Sequence, residues 1–307
     1  VTYPQYWGAK LTGIAAADVT SLGCHTDLWD PHKKRFSSLV DTLDIAKQLA
    51  PVRAPSDVLG YILPEIAEQT GLPTNTPVHC GIHDSNASLI PYILSHKPPF
   101  SVISTGTWVI AMSIGGHPVE LDPSLDSLIN VTALGDPAYS ARFMGGREHD
   151  LATGGPYPEP TEIDRSTVLA QQIMLRPAVC PESGPFKGHR PFWVGGEPQV
   201  GTGVRGAAVA LYLALVTAEC LKNISHAGPI IIEGPFAKNR FYLEMLAATT
   251  GSDVCTSSGT TGTSSGAAML ADESSGNRKA QNAPLEIPRD TIRALRQYAD
   301  LWRIQAV

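Results

Sequence analysis

One carboxylate stands out in the stretch "TPVHCGIHDSNASLI" at 76–90, because Asp84 lies where an apolar segment gives way to small polar residues. The segment "PVHCGI" has the composition of a buried strand, and 84–95 is predicted to form a helix. Asp84 can serve as the N-cap of that helix, a frequent task for aspartate. It can also face a ligand, since α/β proteins bind ligands beyond the carboxyl ends of their strands.

The position of Asp84 favours chemistry that uses an ionised carboxylate. The helix dipole stabilises negative charge at a helix N-terminus, so this carboxylate could accept a proton from a substrate hydroxyl or face a metal ion. The flanking His83 and Ser85 could contact the same substrate, although an isolated histidine is more often a structural residue. Both interpretations of His83 stay open from the sequence.

The turn "STGTW" at 104–108 contains residue types that bind phosphate. Gly106 allows backbone N–H groups to approach an anion, and Thr105 and Thr107 add hydroxyl donors. The alternative is an ordinary hairpin turn, because "FSVISTGTWVIAMSI" has the pattern of two strands around a turn. The motif becomes informative because it follows Asp84 by a single predicted helix.

A second possible nucleotide contact lies in "IIIEGPFAKNRFYLEMLAATTG". Gly234 ends a predicted buried strand, and Asn239 lies in the opening turn of the next predicted helix. Such a strand–turn–helix can bring backbone against the sugar and base of a nucleotide. An ordinary connection capped by local polar groups explains the pattern equally well.

A charged segment, "ARFMGGREHD" at 141–150, has two interpretations. Its charged and ionisable residues are Arg142, Arg147, Glu148, His149 and Asp150. A solvated charged loop is the simpler interpretation. A surface that closes over a substrate is the sharper hypothesis.

The segment "GTGVRG" at 201–206 matches the G-x-G-x-x-G fingerprint of dinucleotide-binding folds and precedes a predicted helix. Glu233 ends the next predicted strand, where an acid that binds ribose would lie. The fingerprint requires a buried strand that runs into its first glycine, whereas "WVGGEPQV" precedes Gly201. A dinucleotide-dependent oxidoreductase is therefore the weaker alternative, and it requires Gly201 to end a parallel strand.

The elements around these residues alternate between strands and helices. Apolar periodicity predicts helices at 36–49, 165–175, 206–223 and 288–303. Most of 114–200 is rich in glycine and proline and gives no clear pattern, and Pro98–Pro99 marks a break in composition. We predict a domain boundary at that break and an α/β protein with two domains.

Composition argues against several functional classes. The 307-residue chain has a net charge of −6, with 23 Lys and Arg against 29 Asp and Glu, so nucleic acid is not an expected partner. Its longest apolar run, at 207–221, is interrupted by polar residues, so we expect no segment long enough to span a membrane. Five cysteines without CxxC spacing fit a reducing cytoplasm better than disulfides or a zinc site.

Taken together, these segments resemble the FGGY family of carbohydrate kinases. Six segments occur here in the same order as in that family: "VLGYILPEIAEQTGLPTNTPVHCGIHDSNASL" at 58–89, "STGTW", "RPFW", "RGAAVALYLAL", "EGPFAKNRFYLEML" and "TSSGAAMLA". The segments "TSLGCHTDLWDP" and "ARFMGGRE" are most similar to members that act on deoxyhexuloses and related ketoses, such as fuculose and rhamnulose kinases. The resemblance covers nearly the whole chain.

Carried over residue by residue, the resemblance implies an ATP-dependent ketose kinase. Asp84 would be the general base that takes the proton of the sugar hydroxyl and would also face Mg²⁺, with His83 and Ser85 beside the sugar. Contacts with ATP are implied at Thr105, Gly106, Thr107, Gly234, Asn239 and Gly266.

The resemblance also implies the two-domain α/β fold of actin-like, ribonuclease H-like ATPases. Residues 1–96 would be the C-terminal part of the sugar-binding domain, and 97–307 would be the nucleotide-binding domain. The family opens with an Asp-x-Gly-Thr segment that holds Mg²⁺ and phosphate. The start of this sequence lacks that segment, so we expect the first domain to be incomplete.

An incomplete first domain keeps a further hypothesis open, namely a catalytically inactive member of the fold that binds nucleotide or sugar. The identity of the sugar also stays open among pentuloses, hexuloses and deoxyhexuloses. As partners we expect a small sugar and a second copy of the chain in a homodimer, with no nucleic acid and no membrane.

Overall fold

The computed structural model describes residues 1–257, 262–272 and 284–306. The chain divides into two compact units. Unit 1 comprises Val1–Lys97, Ile129–Ala138 and Gly259–Ala280, and unit 2 comprises Pro98–Leu128, Tyr139–Ser258 and Gln281–Val307. The chain first passes from unit 1 to unit 2 beside Pro98–Pro99, and the two later segments 129–138 and 259–280 belong to unit 1 again. The assignment of a sugar domain to 1–96 and a nucleotide domain to 97–307 stays a prediction.

The structure contains helices, strands and short 3-10 turns that we number along the chain. The α-helices are α1 (Tyr3–Thr12), α2 (Val19–His25), α3 (Ser38–Thr42), α4 (Pro64–Thr70), α5 (Asp84–Ser95), α6 (Gly145–Thr153), α7 (Glu162–Ala170), α8 (Gly203–Asn223), α9 (Arg240–Thr250), α10 (Gly262–Met269) and α11 (Arg289–Ala306). The strands are β1 (Ala17–Asp18), β2 (Trp29–Asp30), β3 (Arg35–Phe36), β4 (Val52–Arg53), β5 (Val58–Tyr61), β6 (Pro77–His79), β7 (Phe100–Thr105), β8 (Val109–Ile114), β9 (Ser127–Val131), β10 (Pro137–Phe143), β11 (Met174–Arg176), β12 (Phe192–Val194), β13 (Ile230–Glu233) and β14 (Val254–Thr256). Short 3-10 helices span Ala46–Gln48, Pro123–Leu125 and Pro235–Lys238.

Unit 1 is held together by helix packing and by three small sheets. β1 pairs with β4 in parallel, whereas β2 pairs with β3 and β5 pairs with β6 in antiparallel fashion. Helix α5 packs closely against α10, because a Cβ on Gly266 would lie only 1.8 Å from the carbonyl oxygen of Ala87. Ile82 and Ile90 are buried at the same contact. The small residues predicted for α5 therefore permit this close approach.

Unit 2 is built on a six-stranded sheet with the order β14-β13-β7-β8-β10-β9. β13 lies between β14 and β7 and is parallel to both. β7 and β8 form an antiparallel hairpin from the pair Phe100↔Ile114 to the pair Thr105↔Val109. The predicted hairpin around "STGTW" is thus confirmed. The unit boundary falls within β9 and β10, whose residues 129–138 belong to unit 1.

Helix α8 is the central helix of unit 2 and is almost entirely buried. It contacts α6, α7, α9, β8 and β11. By length and composition alone it could cross a bilayer, so our expectation that no segment reaches that length is wrong. Its burial against neighbouring elements is typical of a core helix of a folded domain.

Two predicted helices are shorter than their apolar patterns suggested. In 36–49 only Ser38–Thr42 is α-helical, because Asp44 takes a left-handed φ of 51° and ends the helical path. Helix α7 ends at Ala170, and Gln172 likewise has a φ of 51°. The residues after it form β11, which pairs antiparallel with β12.

Candidate functional site

One candidate site lies in unit 1, at the N-terminus of α5. The helix begins at Asp84, and His83 occupies the cap position, so the capping interpretation of Asp84 is wrong by one residue. The Asp84 side chain is 75% exposed. Its Oδ1 accepts a hydrogen bond from the Ser85 N–H at 2.6 Å and lies 3.0 Å from His83 Nε2. Asp84 thus presents a carboxylate to solvent from the first turn of a helix.

The imidazole of His83 is buried behind that carboxylate. Its Nδ1 lies 2.9 Å from Asn86 Oδ1, and the backbone N–H of His83 donates to Thr20 Oγ1 at 3.0 Å. Thr20 in turn donates to the buried carboxylate of Asp18, which caps α2. The helix N-terminus that carries Asp84 is therefore fixed to another segment of unit 1.

A second, separate candidate site is a pocket of about 720 Å³ in unit 2. Three segments form its walls: the β7–β8 turn, the start of α6, and the turn that follows β13. Its lining residues are Gly106, Thr107, Gly146, Arg147, His149, Asp150, Tyr157, Glu159, Pro160, Pro235, Phe236, Lys238 and Asn239. Of the predicted nucleotide contacts, Gly106, Thr107 and Asn239 are brought together here.

The β7–β8 turn is locked to the start of α6. The Gly106 N–H donates to the carbonyl of Trp108 at 2.9 Å and so closes the turn, while the contact of Gly106 with a nucleotide stays a prediction. The carbonyl of Thr107 accepts from the N–H groups of Gly146 and Arg147 at 3.2 and 3.4 Å. A Cβ on Gly146 would lie 2.1 Å from the carbonyl oxygen of Gly106, so only glycine permits this approach.

Thr105 and Gly234 support the wall of the pocket through contacts between β7 and the turn after β13. The buried Thr105 donates through Oγ1 to the carbonyl of Glu233 at 2.5 Å and accepts from the Phe236 N–H at 3.1 Å. Gly234 has a φ of 85°, and a Cβ there would lie 2.0 Å from the carbonyl oxygen of Thr105. These contacts join β7 to the turn after β13.

Asn239 and Gly266 have separate places in the structure. Asn239 caps α9, since its side chain accepts from the Tyr242 N–H at 3.2 Å, and it also lines the pocket of unit 2. Gly266 lies in α10 of unit 1, against the backbone of Ala87. Within the segment "TSSGAAMLA", residues up to Met269 belong to α10, and the residues before Gly262 as far back as 258 lie outside the described residues.

The pocket also contains residues of the charged segment 141–150, together with Tyr157 and Lys238, which the sequence analysis did not single out. The segment 141–150 forms the end of β10 and helix α6, so the solvated-loop interpretation is wrong. In the pocket, His149 lies with Nε2 2.8 Å from the Tyr157 hydroxyl and with Nδ1 3.1 Å from Asp150 Oδ1. Arg147 and Lys238 add two cations to the lining. Tyr157 comes from the region that gave no clear sequence pattern.

Glu148 points away from this pocket into the core of unit 2. Its carboxylate accepts from the Cys180 N–H at 3.0 Å and from the Tyr212 hydroxyl at 2.7 Å. Burial raises the pKa of the Glu148 carboxyl to about 7, opposed in part by these two hydrogen bonds. Glu148 thus anchors α6, which carries pocket residues, to the core helix α8.

The dinucleotide interpretation of "GTGVRG" is wrong. Gly201 lies in a turn, and the strand before it, β12, ends at Val194 and pairs antiparallel with β11. A Cβ on Gly206 would lie 2.4 Å from a ring carbon of Tyr157, so this glycine accommodates a pocket side chain. The motif therefore lacks the parallel strand that the dinucleotide fingerprint requires.

Magnesium was predicted to lie at Asp84. Among the described residues, no group of three or more His, Cys, Asp or Glu side chains is arranged to hold a metal ion. Mg²⁺ is often held by one or two carboxylates together with substrate phosphates. The contact of Asp84 with Mg²⁺ therefore stays a prediction.

Comparison with known proteins identifies the family. The family model "Carbohydrate kinase FGGY, C-terminal domain" matches residues 97–280. A carbohydrate kinase from Novosphingobium aromaticivorans is 35% identical, with a TM-score of 0.86 over 98% of this chain and 67% of its own. A ligand-bound xylulose kinase from Lactobacillus acidophilus is 18% identical, with a TM-score of 0.76 over 98% of this chain and 66% of its own. Plasmodium falciparum glycerol kinase with ADP is 14% identical, with a TM-score of 0.72 over 99% and 66%.

None of the curated protein sequences matches the chain. The chain spans about two thirds of the length of these solved kinases. The more distant similarities show the fold, which confirms the predicted α/β architecture of actin-like ATPases. The family model and the nearly complete coverage at 35% identity go further. The chain belongs to the FGGY family of carbohydrate kinases, and its residues 97–280 match the model of that family's C-terminal domain.

Proposed function

We propose that the protein transfers the terminal phosphoryl group of ATP to a hydroxyl of a ketose, either a pentulose, a hexulose or a deoxyhexulose. Membership of a carbohydrate kinase family supports the reaction class. One relative in fold is a xylulose kinase, and xylulose is a ketose. The segments that resemble fuculose and rhamnulose kinases favour a ketose over a polyol such as glycerol.

The observation that carries this proposal is the pocket of unit 2, in which three chain segments converge. Its volume of about 720 Å³ lies within the usual range for small-molecule sites. Arg147 and Lys238 supply positive charge for the phosphates of ATP. Tyr157 and Phe236 supply aromatic surface for an apolar part of the nucleotide. In this proposal Gly106, Thr107 and Asn239 line the nucleotide site, while Thr105 and Gly234 hold its wall.

We assign the proton transfer to Asp84. Phosphoryl transfer requires a group that orients the attacking hydroxyl and accepts its proton, and an ionised carboxylate is suited to that task. The side chain is exposed, yet its helix N-terminus is fixed by buried hydrogen bonds. In this proposal Ser85 contacts the sugar beside Asp84, and His83 holds the carboxylate from behind. Gly266 lies against the carbonyl oxygen of Ala87, and its contact with the nucleotide stays a prediction.

ATP normally arrives as its magnesium complex, and the ion neutralises charge on the phosphates. Among the described residues, Asp84 is a single carboxylate and not part of a cluster of three or more metal-binding side chains. We therefore propose no step in which the protein itself binds the ion. All five cysteines are free thiols, which supports a cytoplasmic location. A homodimer remains a proposal that a measurement of molar mass in solution would test.

The proposed function is tested by measuring ADP release from ATP with the native full-length protein and a panel of sugars. We expect turnover with at least one ketose and none with the matching aldoses. Mass spectrometry of the product should show one added phosphoryl group on the sugar. ATP binding without any phosphorylated sugar would instead support the inactive, nucleotide-binding alternative.

A further inference from the structure

Asn86 occupies an unusual place for its residue type. It lies in the first turns of α5 and is fully buried, with 0% of its surface exposed. Asparagine is unfavourable inside helices because its side chain competes for backbone hydrogen bonds. A buried helical asparagine therefore requires specific polar partners, and a local departure of this kind is a signal of function.

The partners of Asn86 come from a distant segment of unit 1. Its Nδ2 donates to Asn130 Oδ1 at 3.2 Å and to the carbonyl of Val131. Since a carbonyl only accepts, the amide nitrogen must face Val131, and Oδ1 is left to face His83. The Asn86 Oδ1 lies 2.9 Å from His83 Nδ1, so Nδ1 carries a proton and donates to this amide oxygen.

The imidazole of His83 is thereby held at two points. Asn86 fixes the ring through Nδ1, and Thr20 fixes the backbone N–H of His83 at 3.0 Å. The ring then directs Nε2 towards Asp84 Oδ1, at 3.0 Å. Because a carboxylate only accepts, a hydrogen bond at this contact requires a proton on Nε2 as well as on Nδ1. The Ser85 N–H donates to the same Asp84 oxygen at 2.6 Å. Both contacts fall on Oδ1, so the carboxylate is held through one oxygen.

We infer that Asn86 is a positioning residue for phosphoryl transfer: acting through His83, it orients the Asp84 carboxylate so that Oδ2 accepts the proton of the sugar hydroxyl. This inference rests on the proposed function. A purely structural role is the competing explanation, in which Asn86 only satisfies the carbonyl of Val131. In that case its loss would lower stability without a selective effect on turnover.

The test is a double-mutant cycle on the native full-length protein, with kcat and KM measured for the sugar and for ATP. The variants are Asn86→Ala, His83→Phe, and both together. Ser95→Ala is the matched control, because Ser95 also lies in α5 and its hydroxyl contacts nearby residues of the chain, the carbonyl of Pro91 and Nδ1 of His96. His83→Gln is the conservative variant, since its amide can still donate to Asp84.

We expect Asn86→Ala to lower kcat by about 10- to 100-fold, because misplacing a reacting group by an ångström has an effect of that size. The KM for ATP should not change. The double variant should resemble His83→Phe within about threefold, as residues that act through one another are not additive. His83→Gln should retain more activity than His83→Phe, and Ser95→Ala should match the wild type.

An independent measurement avoids substitution of the buried asparagine. In ¹⁵N-histidine NMR spectra of the wild-type protein, His83, assigned by its loss in His83→Gln, should show protons on both Nδ1 and Nε2. An unprotonated Nδ1 would overturn the inference, even if Asn86→Ala fails to fold. So would additive losses in the cycle, or an unchanged kcat in Asn86→Ala.

Failure of the proposed function gives a different pattern of results. Wild-type protein that phosphorylates no ketose, or Asp84→Asn with wild-type turnover, overturns the assignment of Asp84 and this inference with it. The Asn86 and His83 outcomes described above overturn the inference alone.

Discussion

The start of α5 in unit 1 and the start of α6 in unit 2 each carry a carboxylate, and the two are held in opposite ways. Asp84 is exposed, and neutral buried side chains such as Asn86 fix the segment around it. Glu148 is only 1% exposed, and burial raises its pKa to about 7. The exposed carboxylate is available for chemistry, whereas the buried one anchors a helix that lines a pocket.

This difference follows from the cost of burying charge. An ionised carboxylate loses its hydration when it is buried, so a protein interior favours the protonated form. A base that must accept a proton is therefore better placed at an exposed helix N-terminus, supported by neutral groups. We therefore expect buried charge to stabilise unit 2 and neutral buried groups to stabilise unit 1.

The largest expected loss of stability comes from the buried ion pairs of unit 2. Glu244 is 1% exposed and contacts Arg165 and, at 2.6 Å, Arg240. Glu244→Ala should lower the free energy of unfolding by roughly 3–5 kcal/mol, because it leaves the buried Arg165 without that partner. Denaturant unfolding measures the loss, with the exposed Glu68→Ala as the control. A loss under about 1 kcal/mol would show that unit 2 does not depend on buried charge.

The next effect is a pH dependence that originates at Glu148. Because the folded-state pKa is about 7 and the usual value is 4.5, the folded protein retains a proton that the unfolded chain releases in between. The contribution of this carboxyl to stability is therefore lost as the pH rises from 4.5 to 7. Relative to Glu148→Gln, the wild type should lose roughly 3 kcal/mol of unfolding free energy across that window.

Urea unfolding of both proteins at several pH values between 4 and 8 provides the measurement. The amide of Glu148→Gln cannot titrate, so the difference between the two curves isolates this carboxyl. Parallel curves would contradict a buried, proton-holding Glu148. They would also remove the contrast with Asp84.

The third prediction is that the same substitution, glycine to alanine, has different effects in the two units. Gly146→Ala places a Cβ 2.1 Å from the carbonyl oxygen of Gly106 and should distort the pocket wall. Overpacking of this kind costs about 1–3 kcal/mol, so ATP affinity in a calorimetric titration should fall about tenfold or more. Gly266→Ala places a Cβ 1.8 Å from the carbonyl oxygen of Ala87 and should lower thermal stability instead. Equal losses of ATP affinity would restore the predicted nucleotide contact of Gly266.

The smallest effect is expected at an exposed ion pair of unit 1. Lys34 Nζ lies 2.9 Å from Asp136 Oδ1, and both side chains are more than half exposed. Lys34→Ala should change the free energy of unfolding by less than about 1 kcal/mol, because water and salt screen the pair. A larger change in denaturant unfolding would mean that surface charge supports unit 1 more than its neutral buried network does.

The sequence predicted those parts of the fold that depend on local patterns. The helix at 84–95, the hairpin around "STGTW" and the strand–turn–helix with Gly234 and Asn239 all form as expected. Each is encoded within about twenty consecutive residues by apolar periodicity, turn residues and caps. The same local signals placed Asp84 at the start of a helix.

Contacts between residues that are far apart in the sequence could not be predicted from such local signals. Asn86 and Asn130 lie 44 positions apart, and only folding brings their carboxamides together. Glu148 belongs to a charged run that indicated a solvated loop, yet α6 turns this one residue towards the core and its neighbours Arg147 and His149 towards the pocket. Tyr157 reaches the pocket from a segment rich in glycine and proline. Whether a single polar residue is buried depends on the segments that pack against it, and local sequence patterns do not show which segments those are.

The central claim is that Asp84 takes the proton in phosphoryl transfer, and turnover of Asp84→Asn beside ATP affinity tests it most directly. General-base catalysis contributes about 10²–10⁴-fold, so kcat with the best ketose should fall by that factor. The dissociation constant for ATP should stay within about twofold of the wild type. Asp41→Asn, an exposed change in α3, should leave both quantities unchanged. Full turnover in Asp84→Asn would contradict the account.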